Sequence, residues 1–251
     1  MMILKSLVKK REIGLKSLAV LIDPDKIKND GELNNLVTKC INYKIDYFFV
    51  GGSLLVSGSL STTISFLKSN SNIPIILFPG SNLHIDQSAD AILFLSLISG
   101  RNPDLLIGQH VAAAPILKKS KVEVLSTGYI LVGNDSNTTV AHISQTLPIP
   151  TNKSDIAVCT AMAGEMIGMR LIYLDAGSGA KEEVPGKMIK SVKKYVEIPL
   201  IVGGGINTDS KVANAYNSGA DTIVLGTVVE KNVNFISDAA KIRDQINAKH
   251  S

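Results

Sequence analysis

The stretch YLDAGSGA, residues 173–180, sets a tyrosine and an aspartate after an apolar run and directly before a loop of small residues. A second glycine loop, VGGGI at 202–206, and a Gly-Thr pair at 226 and 227 end β-branched runs in the same way. Glycine turns let backbone N–H groups come close to an oxyanion, and a helix opening after the turn adds partial positive charge. Phosphate is the usual guest, so Gly203, Gly204, Gly205, Gly226 and Thr227, joined by Ser178 and Gly179, read as a phosphate cradle. One such loop alone reads better as a tight barrel turn; three of them ending adjacent strands favour an anion.

The early loops, DPDK and GGS, have the opposite character. Asp23, Asp25 and Ser53 are oxygen donors of the kind a hard cation such as Mg2+ prefers, with diphosphate oxygens completing its shell. Asp23 stands at the strand end itself, whereas Asp25 sits one turn residue further out, where capping the loop is the more natural role. Lys26 has two readings, a phosphate contact or a partner for Asp25. Asp175 then falls between two anion sites, where an acid can take a proton from a hydroxyl nucleophile. Tyr173, on the same strand face, either donates a hydrogen bond there or fills the core with its hydroxyl left wet.

Positioning these residues requires strands that end together. Apolar runs at 17–23, 47–52, 74–80, 91–96, 122–133, 170–177, 199–205 and 222–227 read as eight strands, each apolar nearly throughout, as parallel strands buried on both faces should be. Helical segments alternate with them. DGELNNLVTKCINY carries Leu33, Leu36, Val37, Cys40 and Ile41 at helical spacing, and TDSKVANAYNSGA opens on Thr208 as an N-cap. Eight βα units in an undivided chain, residues 1–251, predict a single-domain (β/α)8 TIM barrel, with its active site at the C-terminal face. Residues 79–89 are too polar for a helix, which makes that crossover a loop, and NDSNTT at 134–139 reads as a surface loop.

Composition narrows the classes of function. The chain has 251 residues, 26 basic and 22 acidic, and its net charge of +4 is too mild and too scattered for a nucleic-acid footprint, despite Lys5, Lys9, Lys10 and Arg11. Cys40 and Cys159 lie far apart with no zinc-site spacing, which suggests a reducing, cytoplasmic setting. No stretch reads as a signal peptide or a membrane span.

LIDPDK, YFFVGGS, ILFPGS, LIGQHVAAAP, TGYILVG, AMAGEMIGMRLIYLDAGSGA, IVGGGI and GADTIVLGTVVE, in that order, resemble the geranylgeranylglyceryl phosphate synthases and their bacterial heptaprenylglyceryl phosphate relatives. The likeness is to the second sequence group of that family, which carries the longer AGSG loop. It implies a Mg2+-dependent prenyltransferase. The free primary hydroxyl of sn-glycerol 1-phosphate attacks the first carbon of geranylgeranyl, or another polyprenyl, diphosphate and makes the first ether bond of an archaeal-type membrane lipid. The resemblance places metal ligands at Asp23 and Ser53. It places glycerol phosphate contacts at Tyr173, Leu174, Asp175, Ala176, Gly177, Ser178, Gly179, Gly204, Gly205, Gly226 and Thr227. Many relatives have Glu where this chain has Asp175, and an acid where it has Ala112. Phe78, Pro79, Leu95, Leu97, Ile98 and Tyr129 are candidates to line an apolar trough for the prenyl chain, or else to pack the core. A homo-oligomer is expected, as is transient contact with a membrane surface through the product. A phosphosugar isomerase or a thiamine-phosphate-type synthase would share the late glycine loops, though such an isomerase needs no metal and the DPDK and GGS pair argues against it; a silent binding barrel stays open because Asp175 stands where many relatives have Glu.

Overall fold

A strand whose every second side chain is apolar on both faces has to be covered on both. Here closure covers the inner face and a helix layer the outer: in the computed structural model, which describes residues 2–52, 54–56, 58–134 and 138–249, eight parallel strands form a barrel in sequence order, with the eighth pairing back on the first. The strands are β1 (Ser17–Ile22), β2 (Tyr47–Gly52), β3 (Ile75–Pro79), β4 (Ala91–Leu97), β5 (Glu123–Leu131), β6 (Leu171–Asp175), β7 (Leu200–Gly203) and β8 (Thr222–Leu225). The helices are α1 (Ile3–Glu12), α2 (Asp30–Asn42), α3 (Leu60–Asn70), α4 (Gln109–Lys119), α5 (Thr139–Ser144), α6 (Ser154–Met166), α7 (Gly186–Tyr195), α8 (Asp209–Asn217), α9 (Thr227–Lys231) and α10 (Phe235–Asn247). None among the described residues is long and apolar enough to cross a membrane.

Alternation along each strand divides the core in two. Leu18, Val20 and Ile22 of β1 and Ile172 and Leu174 of β6 face the helices, packing with Val37, Cys40 and Ala239 among others. Ala19, Tyr47, Phe49, Ile76, Leu93, Tyr129, Tyr173 and Ile201 fill the lumen. Since β5 and β6 pair Tyr129 with Tyr173 and Leu131 with Asp175, the inward phase of β6 carries Tyr173 and Asp175 to its C-terminal end. The helices start where polar caps stop the backbone from needing water: the side chains of Asn29, Ser59 and Thr208 accept the N–H of Glu32, Thr62 and Lys211.

The N-terminal end of the barrel is closed for stability. Helix α1 lays Ile3 and Leu7 across the lumen, and Glu123 at the start of β5 accepts the N–H of Ile3 and of Leu4, two donors a helix start leaves free. Asp46, just before β2, accepts the N–H of Leu18 at 2.8 Å and pairs with Lys10 and with the buried Arg243, whose guanidinium also donates to the carbonyls of Tyr43 and Lys44.

Two loop readings have different outcomes. Between β3 and β4 the described chain runs without a helix, as its polarity predicts. In the NDSNTT stretch, Thr138 instead caps α5, which opens at Thr139; residues 135–137 lie outside the described part.

Asp46→Ala takes from the buried Arg243 one of its two acidic partners and leaves it Asp244 and two carbonyls, so unfolding in urea should lose about 1 to 3 kcal/mol. The folded fraction should keep its full turnover, because the chemistry sits at the opposite end.

Candidate active site

The C-terminal strand ends surround a chamber of about 730 Å³. It is lined by Asp23, Tyr173, Asp175, Gly177, Ser178, Gly179, Gly204, Gly205, Gly226 and Thr227, so residues scattered over two hundred positions of sequence meet in one place. Leu174 and Ala176 do not line it. Their side chains point outward into the helix-facing core, as the strand phase requires, and they contribute only backbone to the run. Ser53 lies outside the described residues.

The late loops converge as glycine chemistry demands. Gly177, Gly179, Gly204 and Gly205 have φ of 93°, 75°, 78° and 70°, a region other residues rarely adopt. A Cβ at Gly204 would stand 2.6 Å from Asp175 Oδ1 and 2.7 Å from the amide nitrogens of Ala176 and Gly177, so only hydrogen fits between the two loops. Lys211 ties the loops further, its ammonium donating to the carbonyls of Lys181 and Gly205. The hydroxyls of Ser178 and Thr227 face each other at 3.4 Å across the mouth. Thr227 opens the short helix α9, in which the N–H groups of Val229 and Glu230 bond to the carbonyl of Gly226. This half of the chamber is suited to a phosphate.

Asp175 forms the floor. Its Oδ2 accepts the Tyr129 hydroxyl at 2.5 Å and its Oδ1 accepts the Gly177 N–H at 2.9 Å. Burial raises its pKa above the ordinary carboxylate value, and these two donors only partly offset the rise. Burial likewise pushes the phenols of Tyr129 and Tyr173 well above 10.0, reinforced by the negative charge of Asp175. Both phenols therefore remain donors. Tyr173, Tyr129 and Phe78 form a ring cluster with centroids 5.4 to 6.2 Å apart.

Across the mouth, Asp23 accepts the Asp25 N–H at 3.0 Å and lies against Gly52. Half-burial raises its pKa, partly countered by that N–H and by Lys26, so the carboxylate is short of positive partners. Asp25 is committed to the loop, accepting the N–H groups of Val56 and Gly58. Among the described residues no group of three or more His, Cys, Asp or Glu is arranged around a metal position. Asp23, with room beside it, fits Mg2+, which commonly takes one or two carboxylates plus substrate phosphate oxygens.

A second, apolar cleft of about 120 Å³ adjoins the chamber and shares Gly52, Phe78 and Tyr129 with it. It runs between residues 80–85, β4 and α4, in the place where a crossover helix between β3 and β4 would otherwise pack. Phe78, Pro79, Leu95, Leu97 and Tyr129 line it as a trough would need. Ile98 does not: its side chain lies against Gly128 and Gly164, between β5 and α6.

Sequence reasoning missed three features. Tyr129 appeared only as a trough candidate, although its inward phase on β5 could have paired it with Asp175. Lys181 and Lys231 also line the chamber, and no motif marks them. Glu230 faces Asp23 from α9, and its pKa is raised by burial and then by the Asp23 charge.

Residues 10–245 match the model of the PcrB family. A geranylgeranylglyceryl phosphate synthase from Chitinophaga pinensis is 49% identical over 95% of this chain and 94% of its own length. One from Spirosoma linguale is 50% identical over 93% and 94%. The crystal structure of (S)-3-O-geranylgeranylglyceryl phosphate synthase from Thermoplasma acidophilum, in complex with substrate sn-glycerol-1-phosphate, superposes with a TM-score of 0.90 at 32% identity, covering 99% of both chains.

The raised pKa of Asp175 has a consequence for stability. Whatever the protonated carboxyl contributes to folding is fully present below the unfolded value, near 3.8, and is lost as pH rises through the higher folded value. Asp175→Asn lacks that loss, so its unfolding free energy should gain on wild type as pH climbs from about 4 upward. Urea titrations across pH would show no such divergence if the carboxylate were well compensated.

Proposed function

The chain belongs to the PcrB family, and from that premise we propose that it joins sn-glycerol 1-phosphate to geranylgeranyl diphosphate, giving 3-O-geranylgeranyl-sn-glyceryl 1-phosphate. The observation that carries this reading is the junction of two unlike cavities: a glycine-walled polar chamber with a buried acid at its floor, opening into an apolar cleft. A phosphosugar isomerase has no use for the second.

In this reading the loops after β6, β7 and β8 hold the phosphate through backbone N–H groups and the hydroxyls of Ser178 and Thr227, which fixes the glycerol as an aligned nucleophile. Asp175 takes the proton from the free primary hydroxyl as that oxygen bonds to the first prenyl carbon, and the carbon–oxygen bond to diphosphate breaks with its electron pair leaving on the diphosphate. Tyr173, inward and buried, orients the glycerol from the same strand. Asp23, with Ser53 by resemblance, would hold Mg2+, which would supply neutralisation of the charge on the departing diphosphate. The apolar walls keep water from competing with the acceptor hydroxyl. The setting is cytoplasmic, the assembly a homo-oligomer, and the amphiphilic product brings the enzyme into passing contact with a membrane surface.

Incubation with Mg2+, each enantiomer of glycerol phosphate and a ladder of prenyl diphosphates, with products read by mass, tests the assignment. The sn-1 enantiomer should be alkylated in strong preference, since phosphate and hydroxyl are held together; equal rates with both enantiomers would sink it. Asp23→Asn should lower Mg2+-dependent turnover by about 10²-fold or more while calorimetry finds glycerol phosphate affinity nearly intact. Loss of glycerol phosphate binding with metal dependence unchanged would reverse the two halves of the site.

A further inference from the structure

Asp175 lines the polar chamber but not the apolar cleft, whereas Tyr129, Phe78 and Gly52 line both. On the prenyl-transfer reading above, a substrate with its diphosphate near Asp23 and its tail in the cleft must cross at those three residues. Its first carbon, where the new bond forms, lies there too. Of the three, Tyr129 alone has a side chain able to hydrogen-bond, and its hydroxyl donates to Asp175 Oδ2 at 2.5 Å.

The contact is built into the barrel. Tyr129 sits opposite Tyr173 in the β5–β6 register, so Asp175 is its diagonal neighbour two residues further on, and the length of a phenol is needed to span that diagonal. The ring is 5% exposed and held between Phe78, 6.2 Å away, and Tyr173, 5.4 Å away, leaving it no room to swing. With Gly177 N–H on the other oxygen, the carboxylate has one donor on each side and its plane is set. Each oxygen still keeps a lone pair for a substrate hydroxyl.

We propose that Tyr129 is a positioning residue for prenyl transfer: by donating to Oδ2 it fixes the carboxylate of Asp175 in the orientation from which it takes the acceptor's proton at the junction of chamber and cleft. Tyr129 keeps its own proton throughout. The acceptor proton ends on Asp175, the acceptor oxygen bonds to the prenyl carbon, and diphosphate leaves with the electron pair.

Tyr129→Phe removes one oxygen and keeps the ring contacts. It should lower kcat by about 10- to 100-fold, the worth of a hydrogen bond to a charged group, with KM for both substrates within about threefold. The acid limb of the kcat–pH profile should move to higher pH, because a carboxylate already pushed up by burial loses a donor that favours its ionised form. Of the groups that touch Asp175, Tyr129 and Tyr173 stay protonated through that range; Asp23, Glu230 and the substrate phosphates titrate elsewhere in the chamber and are common to both proteins, so the difference between the two profiles belongs to Asp175. In an Asp175→Asn background, adding Tyr129→Phe should cost less than about twofold, since both act as one unit. An unmoved pH limb, or two losses that multiply, would overturn the proposal. A wild-type chain that makes no prenyl ether sinks the functional reading beneath it; a working wild type beside an unaltered Tyr129→Phe sinks this inference alone.

Discussion

Closure of a parallel sheet removes its edges and gives every strand one face in a lumen and one that helices must cover, and the rest of this molecule follows from that constraint. Each strand must alternate between a lumen and a helix layer, and the lumen must be filled to its axis. Tyr47, Phe49, Leu93 and Tyr173 do this in the middle, and α1 finishes the N-terminal end with Ile3 and Leu7. Only at the C-terminal end does packing stop. The same inward phase that supplies core residues lower down there supplies Asp175, so an ionisable group arrives in the barrel with its surroundings already apolar.

That inheritance sets the electrostatics of the site. The carboxylate of Asp175 is caught between burial, which opposes its charge, and two donors that favour it, with burial the larger effect. An acid in such balance is a stronger proton acceptor than one in water. The glycines matter for a related reason. Gly204 brings the β7 loop against Asp175 Oδ1 and the amides of the β6 loop, so the glycine loops and the buried acid are parts of one packed object.

Much of this was legible in the sequence because it depends on local pattern. Eight apolar runs ending in small or acidic residues specify a barrel and its working face, and the polarity of residues 79–89 marks the missing crossover helix. The cradle of Gly177, Ser178, Gly204, Gly205 and Thr227 follows once those strand ends are placed side by side. What local pattern cannot carry is contact between different strands. The Tyr129–Asp175 bond depends on the β5–β6 register, and the outward turn of Leu174, Ala176 and Ile98 depends on strand phase, which a contiguous motif ignores. The reading of 134–139 as loop missed that Thr138 is a helix cap followed by an apolar Val-Ala turn.

The stretch between β3 and β4 that never becomes a helix leaves part of one wall of the molecule uncovered. Elsewhere the outer face of the sheet is roofed by protein; over Phe94, and beside His110 and Ala113, the roof is thin and an apolar cleft remains. On the proposed reading, a hydrocarbon tail lying there would do the work of a missing secondary-structure element. The lipid would then be a temporary part of the core as well as a reactant, and the solidity of this flank would vary with how much prenyl substrate the cell supplies.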